Sequence, residues 1–369
     1  MLGQIVDVII DRPIHSLHPQ HKDIQYELNY GYLPNTISMA DQEELDAYVM
    51  DVSTPLKKYR GEVIAIIHRN KEEDKLVVSN KRMSKEEIYR KTYFMERYFS
   101  SYIEMAYPTK EDLLFDLKRA GFHSSDCVFL HSSLKSFGNM DGKEVLAAFK
   151  AFFKDGLVIL PTHSWNCIQK NQDVYNVDTT KSCVGALTNL ALEDRDFKRS
   201  MHPTHSVCAF GLKKEEYLSL DLNQGTPVSP TGCIGSLWKY NAKILFLGAP
   251  LSKNTFIHSI EEEMHVEDRF TSEIFEFVSK GYGQSYVYHM PRHYSTKRDH
   301  LSENYAKLKP HLLQYDIAQE IHIGNSPTVV IDARACYDYV KYLLEKNNHI
   351  FDDDKEYIDD YESYKKTKQ

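Results

Sequence analysis

The sequence lacks the features that mark several large classes of protein. Its 369 residues contain no Cys-x-x-Cys pair among six cysteines, no apolar run long enough to cross a bilayer and no long basic block. Scattered cysteines favour reduced thiols over a zinc knuckle or a disulfide framework. A net charge of −8 without basic clusters argues against nucleic acid, whose phosphates bind clustered Lys and Arg. The start of the chain also lacks the order of a signal peptide, so we expect a cytoplasmic protein that binds neither nucleic acid nor a membrane.

The composition is that of an ordinary globular protein, with 42% hydrophobic and 27% charged residues, and its patterning changes along the chain. The length is sufficient for two domains, each with its own core. Short runs rich in Val, Ile and Tyr predict strands at 6–10, 46–52, 61–67 and 75–78. A capping box at Ser84 and Glu87 then opens a helix, and Pro108 interrupts the pattern. We therefore place a boundary near 105–108 and expect an N-terminal domain over 1–105.

The remaining two thirds of the chain alternate between strand and helix patterns. Strand-like runs fall at 127–131, 157–161, 243–248 and 328–331, and helical patterns fall at 109–121, 143–153, 185–192 and 333–345. This order predicts an α/β domain over 106–348 with a mixed central sheet, in a chain that is α+β as a whole. Residues 349–369 are crowded with Asp, Lys, Glu and Tyr, and this composition predicts a charged flexible tail.

A histidine and a glutamate three residues apart form the strongest catalytic candidate. The apolar run 243–250 is followed by a short polar turn and by Asn254-Thr-Phe-Ile-His-Ser-Ile-Glu261. This spacing predicts that His258 and Glu261 share one face of the first turn of a helix. An imidazole near a helix N-terminus is kept neutral and can act as a general base, while the carboxylate orients it. A solvated surface pair is the alternative, because His-x-x-Glu is common on amphipathic helices.

Three further polar segments precede this pair. Residues 129–138 read as a strand running into a polar turn that ends at a glycine, and 160–164 read Leu-Pro-Thr-His-Ser. Residues 199–206 read Arg-Ser-Met-His-Pro-Thr-His-Ser. Amides and hydroxyls at such turns suit phosphate oxygens. For His202 and His205, a metal pair and a buried turn stapled by His-Pro are both open, although no third ligand stands nearby in the sequence.

Taken together and in this order, these segments resemble the aminoglycoside 3-N-acetyltransferase family over residues 109–348. The resemblance implies transfer of acetyl from acetyl-CoA to an amine of an aminoglycoside or related amino sugar, as in antibiotic resistance. It also implies that His258 is the catalytic base and that Glu261 is its partner or an amine-binding carboxylate. Residues matching the CoA-contacting segments are His131, Ser132, Ser133, Arg199, Ser200 and Ser206. The loop 221–235 lacks the histidine and acidic residues that drug-modifying members often carry, so the acceptor amine stays open.

The N-terminal third is similar to the soluble family I inorganic pyrophosphatases, which are small, OB-like β-barrel enzymes. The segment 26–36 with its Tyr-Gly-Tyr, the carboxylates that follow it and the later pair Glu73 and Lys75 carry the similarity. It implies a Mg²⁺ site on three carboxylates, Asp41, Glu43 and Asp46. His68 and Phe99 stand where the family has a metal-binding Asp and a phosphate-binding Lys, so we expect a degenerate domain. A solvated turn is the alternative for these carboxylates.

Three hypotheses follow from these patterns. The first is an acetyl-CoA-dependent N-acetyltransferase with acetyl-CoA and a small amine as partners, fused to a degenerate pyrophosphatase-like domain. The second is a bifunctional protein whose N-terminal domain is a Mg²⁺-dependent inorganic diphosphatase. The third is a non-catalytic sensor in which one domain binds a phosphate ligand and tunes the other.

Overall fold

A computed structural model describes residues 1–38, 42–297 and 301–368. The chain divides into two compact units. The first comprises Met1–Arg119, Phe137–Glu144 and His322–Asn325, and the second comprises Ala120–Ser136, Val145–Ile321 and Ser326–Gln369. The first unit therefore extends past the boundary predicted at 105–108 and takes in two short segments from later in the chain.

The first unit contains a small closed β-barrel. Its strands are β1 (Ile5–Arg12), β2 (Asn29–Tyr32), β3 (Asp46–Val49), β4 (Lys58–Arg69), β5 (Lys75–Ser79) and β6 (Ser101–Met105). Five of them close in the order β1-β2-β3-β5-β4, because β4 pairs back onto β1, and β6 pairs with the far end of β4. All neighbours are antiparallel except β3 and β5, which are parallel. The predicted N-terminal barrel is confirmed at this level, and its OB-like or pyrophosphatase-like identity stays a prediction.

Alternation of side chains along the barrel strands buries both of their faces. On β3, Ala47 and Val49 join one apolar cluster, whereas Tyr48 between them joins another that includes Ile88 and Phe94. This is the period of two that a strand imposes on its side chains. Gly31 on β2 is required by close packing, since a Cβ there would lie 1.9 Å from the carbonyl oxygen of Ile9.

The N-terminal segment of the first unit also contains two helices, α1 (Lys85–Glu96) and α2 (Lys110–Arg119). The hydroxyl of Ser84 accepts a hydrogen bond from the backbone N–H of Glu87 at 3.2 Å, which confirms the predicted cap. The side chain of Lys85 is buried, and its Nζ lies 2.5 Å from Asp116 Oδ2 and donates to the carbonyl of Gly324 at 2.9 Å. The N–H of Gly324 donates to the same carboxylate at 2.8 Å.

The second unit is built around a seven-stranded mixed sheet in the order β10-β11-β8-β7-β12-β16-β15. The strands are β7 (Cys127–Ser132), β8 (Leu157–Pro161), β10 (Lys198–Arg199), β11 (Val207–Gly211), β12 (Lys243–Leu247), β15 (Ala318–Ile323) and β16 (Ser326–Asp332). The central strands β8, β7 and β12 are parallel, while β11 and β16 flank them antiparallel. This confirms the predicted mixed sheet.

Helices and short 3₁₀ turns connect and cover this sheet. The helices are α3 (Gly142–Phe152), α4 (Ala186–Glu193), α5 (Lys214–Ser219), α6 (Thr255–Glu263), α7 (Lys309–Gln314), α8 (Ala333–Lys346) and α9 (Tyr361–Lys368). The 3₁₀ turns are Leu134–Phe137, Leu251–Lys253 and Leu301–Leu308. Within residues 1–38, 42–297 and 301–368, no helix is long and apolar enough to span a membrane.

A separate three-stranded sheet, β14-β13-β9, was not expected from the sequence. It consists of β9 (Val174–Asn176), β13 (Phe275–Gly281) and β14 (Gln284–Met290). Tyr282 and Gly283 form the two-residue turn of the hairpin, and both have positive φ, at 51° and 74°. This is the geometry of a tight hairpin turn that matches strand twist.

The C-terminal segment also differs from the flexible tail predicted over 349–369. Ile350, Phe351 and Tyr361 are buried and belong to the main apolar cluster of the second unit. Tyrosine supplies the reason, because its ring buries apolar area while its hydroxyl keeps a polar partner. The hydroxyls of Tyr315 and Tyr339, for example, donate to Asp359. This segment, although rich in charged residues and tyrosine, is therefore packed against the core of the second unit.

The carboxyl ends of the parallel strands lie at one edge of the large sheet. β7 and β12 run in register from Val128 beside Lys243 to Ser132 beside Leu247. The segments that follow β7, β8 and β12 therefore start next to one another. In open α/β sheets such an edge is where ligands bind.

The buried ion pair of the first unit leads to a stability prediction. Asp116→Ala leaves the Lys85 ammonium without its carboxylate in a buried site, so we expect a loss of roughly 3–5 kcal/mol in the free energy of unfolding. The paired variant Lys85→Met with Asp116→Leu removes both charges and should recover most of that loss. Urea unfolding of both variants measures this. Equal stability of Asp116→Ala and the unmodified protein would contradict the role of the pair.

Candidate active site

His258 and Glu261 lie together on α6, as their spacing predicts. The helix begins after β12 and the 3₁₀ turn Leu251–Lys253, and His258 Nδ1 lies 3.2 Å from Glu261 Oε2. Tyr305, from the 3₁₀ turn Leu301–Leu308, brings its hydroxyl oxygen to 2.8 Å from the same Nδ1 and donates to Glu261 Oε2. The pair is therefore a three-residue cluster rather than a solvated surface pair.

Glu261 is a buried carboxylate that accepts donors on both oxygens. Its exposed fraction is 1%, and Oε1 accepts a hydrogen bond from Arg269 Nε at 2.8 Å. Burial alone would raise its pKa, but the hydrogen bond and charge of His258, the charge of Arg269 and the Tyr305 hydroxyl lower that pKa to about 2. Glu261 is therefore ionised at neutral pH. Burial of Tyr305, and then the negative charge of Glu261, raise the pKa of Tyr305 well above the usual range, so this hydroxyl remains a donor.

His258 is held neutral next to this carboxylate. Burial, and then the neighbouring His293, lower its pKa, and Glu261 only partly offsets them. With Nδ1 facing an ionised carboxylate, the hydrogen-bond network assigns the ring proton to Nδ1. The remaining nitrogen, Nε2, then carries the lone pair. A neutral imidazole in this tautomer is suited to accept a proton at Nε2.

Other histidine rings extend from His258 in a chain of close contacts. The ring centre of His293 lies 4.6 Å from that of His258 and 5.3 Å from that of His205, and His163 lies 4.9 Å beyond His205. Burial lowers the pKa of His163 to about 3 and brings that of His205 well below its usual range. Sequence patterns did not point to His293. The neutral rings of His163 and His205 therefore add no positive charge near His258.

His202 holds its own turn in place through hydrogen bonds of both ring nitrogens. Its Nε2 lies 3.2 Å from the carbonyl of Thr226, and its Nδ1 accepts the backbone N–H groups of Thr204 and His205 at 3.3 and 2.9 Å. Both ring nitrogens are therefore used within the protein. Of the two alternatives for this segment, the stapled turn fits these contacts. In the described parts of the chain, no group of three or more His, Cys, Asp or Glu side chains is arranged to hold a metal.

Arg199, Ser200 and Ser206, which the family resemblance places among the CoA-contacting residues, are buried in an internal network. Arg199 Nε donates to Ser206 Oγ at 3.1 Å and to Thr162 Oγ1 at 3.2 Å, and Nη2 donates to the carbonyl of Thr162 at 2.5 Å. Ser200 Oγ donates to Asp221 Oδ2 at 2.5 Å. These contacts fix the segment 199–206 against the end of β8, so the three side chains support the sheet edge from inside.

His131, Ser132 and Ser133 lie at the end of β7. His131 is buried, its ring stacked on Phe246 at 4.8 Å, and burial lowers its pKa to about 3. The two serines are half-buried, and the N–H of Ser133 donates to the carbonyl of Leu247 at 2.8 Å. A Cβ at Gly185, which precedes α4, would lie 3.8 Å from the carbonyl oxygen of Ser132. The serines are therefore the more accessible members of the predicted cosubstrate set.

The carboxylates predicted to bind Mg²⁺ gain no support. Asp41 lies outside the described residues, and the side chain of Glu43 is exposed. Asp46 Oδ2 accepts from Lys75 Nζ at 2.7 Å and from the hydroxyl of Tyr30 at 2.5 Å, and Lys75 also pairs with Glu73. The cation that neutralises Asp46 is thus a lysine of the chain. Mg²⁺ binding by these carboxylates therefore stays a prediction.

Tyr305 and Arg269, like His293, are site residues that no sequence pattern indicates. Arg269 follows Glu261 by eight positions, beyond the end of α6, and Tyr305 follows it by 44. No spacing rule links residues that far apart. The only local signal is chemical, since a buried carboxylate needs donors, and the sequence does not say which residues supply them.

Comparison with known proteins supports a family assignment. The family model described as aminoglycoside 3-N-acetyltransferase matches residues 129–345, more than half of the chain. The SPbeta prophage-derived aminoglycoside N(3')-acetyltransferase-like protein YokD of Bacillus subtilis (strain 168) is 27% identical over 179 residues. Aminoglycoside N(3)-acetyltransferase III of Serratia marcescens is 27% identical over 177 residues. Each alignment covers 42% of this chain and 64% of the relative, so the chain spans slightly under two thirds of their length.

Solved structures share the fold of this part of the chain. The apoenzyme of aminoglycoside acetyltransferase AAC(3)-IVa has a TM-score of 0.56 at 20% identity, covering 66% of this chain and 90% of that one. The binary complex of AAC-IIIb with CoASH has a TM-score of 0.56 at 19% identity, covering 64% and 96%. The mixed sheet, the site at its edge and the match over 129–345 lead to one conclusion: the chain belongs to the aminoglycoside 3-N-acetyltransferase family.

Proposed function

We propose that this protein is an acetyl-CoA-dependent N-acetyltransferase acting on an amine of an aminoglycoside or a related amino sugar, as in antibiotic resistance. The observation that carries the proposal is the neutral His258, with Nδ1 toward ionised Glu261 and Nε2 left to accept a proton. Family membership supports it. Among the structural neighbours, AAC-IIIb was solved with CoASH, AAC(3)-IVa with gentamicin and AAC-VIa with sisomicin.

The proposed reaction moves one acetyl group and one proton. The amine nitrogen attacks the thioester carbonyl, a C–N bond forms, and His258 Nε2 takes the proton that the amine gives up. The tetrahedral intermediate then collapses, the C–S bond breaks, and the proton passes to the departing thiolate. Glu261 stabilises the imidazolium formed in between, and Arg269 keeps Glu261 ionised and oriented.

We further propose which residues receive the cosubstrate. Ser132 and Ser133 offer half-buried hydroxyls at the carboxyl edge of the parallel strands, where an acyl-CoA would reach the dyad. His131 packs behind them. Arg199, Ser200 and Ser206 hold the adjoining segment in place through their internal bonds, so their contribution to CoA binding is mainly to the shape of the edge.

For the N-terminal unit we propose a pyrophosphatase-like domain over 1–105 that has lost hydrolysis, followed by the transferase domain over 106–348. The supporting contact is the Lys75 ammonium, which pairs with both Asp46 and Glu73. A hydrolase of this type works through metal ions that clamp phosphoryl oxygens and activate water. A lysine can replace the charge of such an ion, but it supplies no bound water to activate.

Removal of the base tests the proposed reaction. His258→Ala should lower acetyl transfer by roughly 10²–10⁴-fold, the contribution typical of a positioned general base. Thiol release from acetyl-CoA, measured over a panel of aminoglycosides and amino sugars, reports the rate. His289→Ala, an exposed histidine of the β13–β14 hairpin, is the matched control and should leave the rate unchanged. Full acetyl transfer by His258→Ala with normal CoA binding would show that His258 is not the general base.

The ionised Glu261 predicts a specific pH dependence of stability. Its folded pKa of about 2 lies below the ordinary value of 4.5, so its contribution is fully present above about pH 4.5 and is lost as pH falls toward 2. The difference corresponds to roughly 3 kcal/mol. Urea unfolding between about pH 2 and pH 6 should therefore show a shallower acid loss for Glu261→Gln than for the unmodified protein. Glu267→Gln, an exposed position nearby, should keep the original slope.

Loss of hydrolysis in the barrel is tested by phosphate release from pyrophosphate in the presence of Mg²⁺. We expect none above the uncatalysed rate, because Asp46 is paired with Lys75. The result that would reverse this conclusion is phosphate release that disappears in Asp46→Asn. Such a result would favour the bifunctional alternative.

A further inference from the structure

A short C-terminal segment reaches the partners of Glu261 from outside the family-matched region. The match ends at residue 345, and the segment 349–354 follows α8. Two of its residues, Phe351 and Asp352, contact the two side chains that hold Glu261. These contacts lie within the second unit.

Asp352 fixes the outer end of Arg269. Arg269 Nη2 donates to Asp352 Oδ1 at 3.0 Å, while its Nε donates to Glu261 Oε1 at 2.8 Å. The guanidinium is only 3% exposed and pairs with both carboxylates, and its Nη1 also donates to the backbone carbonyls of Glu267 and Asp268 at 3.2 and 3.3 Å. Because the guanidinium is a rigid planar fork, a partner at one end determines where the other end points. An unbroken line of contacts thus runs from Asp352 through Arg269 and Glu261 to His258.

Phe351 supports the second partner, Tyr305. Its ring meets the Tyr305 ring edge-on, with centres 5.0 Å apart, and it is fully buried. Its carbonyl also accepts a hydrogen bond from Asn304 Nδ2 at 2.8 Å. Lys307 donates to the carbonyl of Ile350, and the segment is thereby fastened to the 3₁₀ turn that carries Tyr305.

Charged and titratable groups surround both ends of the line of contacts from Asp352 to His258. Asp352 faces Arg269, Lys297 and His349, whose Nδ1 lies 3.0 Å from Oδ2. At the other end, His258 faces Glu261 and Tyr305, its ring contacts His293, and the charge of Glu262 also acts on it. Among the described residues, Arg269 is the side chain that hydrogen-bonds both Asp352 and Glu261.

We propose that Asp352, beyond the family-matched part of the chain, is a positioning residue that acts through Arg269 to hold Glu261 against His258. Phe351 supports Tyr305 directly, by packing against its ring. The positioning role concerns only contacts between side chains of this protein. The expected effect on the reaction rate rests on the proposed acetyl transfer. Without Asp352 the guanidinium keeps its charge and its Nη1 contacts to the carbonyls of Glu267 and Asp268, but Nη2 loses its carboxylate, so the donor to Glu261 Oε1 is held less firmly.

Titration of His258 tests the proposal without any substrate. Glu261 raises the pKa of His258, so Asp352→Asn, which removes a negative charge and loosens Glu261, should move that pKa lower. The His258 imidazole is followed by NMR in the full-length protein, with His258→Ala to assign its signal. Asp352→Glu, which retains the carboxylate, should restore part of the shift. An identical His258 titration in Asp352→Asn and the unmodified protein would overturn the proposal.

Asp353→Asn is the matched control. Asp353 is the next residue, and its carboxylate pairs with Lys355 and Lys307 rather than with the partners of Glu261. Its substitution should leave the His258 titration and the rate unchanged. A shift equal to that of Asp352→Asn would mean that any loss of charge in this segment has the effect, and positioning would be ruled out.

The kinetic arm measures thiol release from acetyl-CoA. Asp352→Asn should lower kcat by roughly tenfold to a hundredfold with little change in KM for acetyl-CoA, and should shift the acid limb of the pH–rate profile to lower pH. If the unmodified protein releases no thiol with any acceptor, the proposed function fails, and the titration still decides the positioning role. If Asp352→Asn does not fold, Arg269→Lys keeps the positive charge without the fork and should lower the His258 pKa in the same direction. An unchanged titration in Arg269→Lys would then reject the proposal.

Discussion

A buried, ionised carboxylate places a strong demand on the structure around it, because an unpaired charge in the interior costs several kcal/mol. Glu261 meets that demand with donors from three parts of the chain: His258 on its own helix, Arg269 just beyond it and Tyr305 from a later 3₁₀ turn. The arrangement of α6, the following loop and the C-terminal segment satisfies this one charge. The neutral state of His258 follows from the same burial.

Local features of the site and fold could be predicted from the sequence because they depend on short spacings. The i, i+3 spacing of His258 and Glu261 fixes their shared helix face. Short runs rich in Val, Ile and Tyr predict four of the first unit's strands, β1, β3, β4 and β5. The partners of Glu261 depend instead on tertiary approach. Arg269, Tyr305 and Asp352 stand at distances along the chain for which no periodic pattern exists, so only the folded structure brings them together.

Three departures from expectation have separate physical causes. The sequence does not predict the β13–β14 hairpin, because only Gly283 of its two turn residues, Tyr282 and Gly283, is of a type that commonly adopts positive φ. The segment after α8 is charged enough to suggest a solvated tail, yet its aromatic rings find room in the core. The carboxylates of the barrel have the spacing of a metal site, but Lys75 lies close enough to satisfy Asp46. Composition records neither proximity nor packing.

The ion pair between Lys75 and Asp46 has a consequence for the conditions under which the barrel is stable. A bound metal couples folding to the concentration of the free ion, because the folded state binds it and the unfolded chain does not. A lysine on β5 is covalently part of the chain, so its pairing involves no dissociable ion. The pairing of Asp46 with Lys75 is therefore independent of the concentration of any free ion.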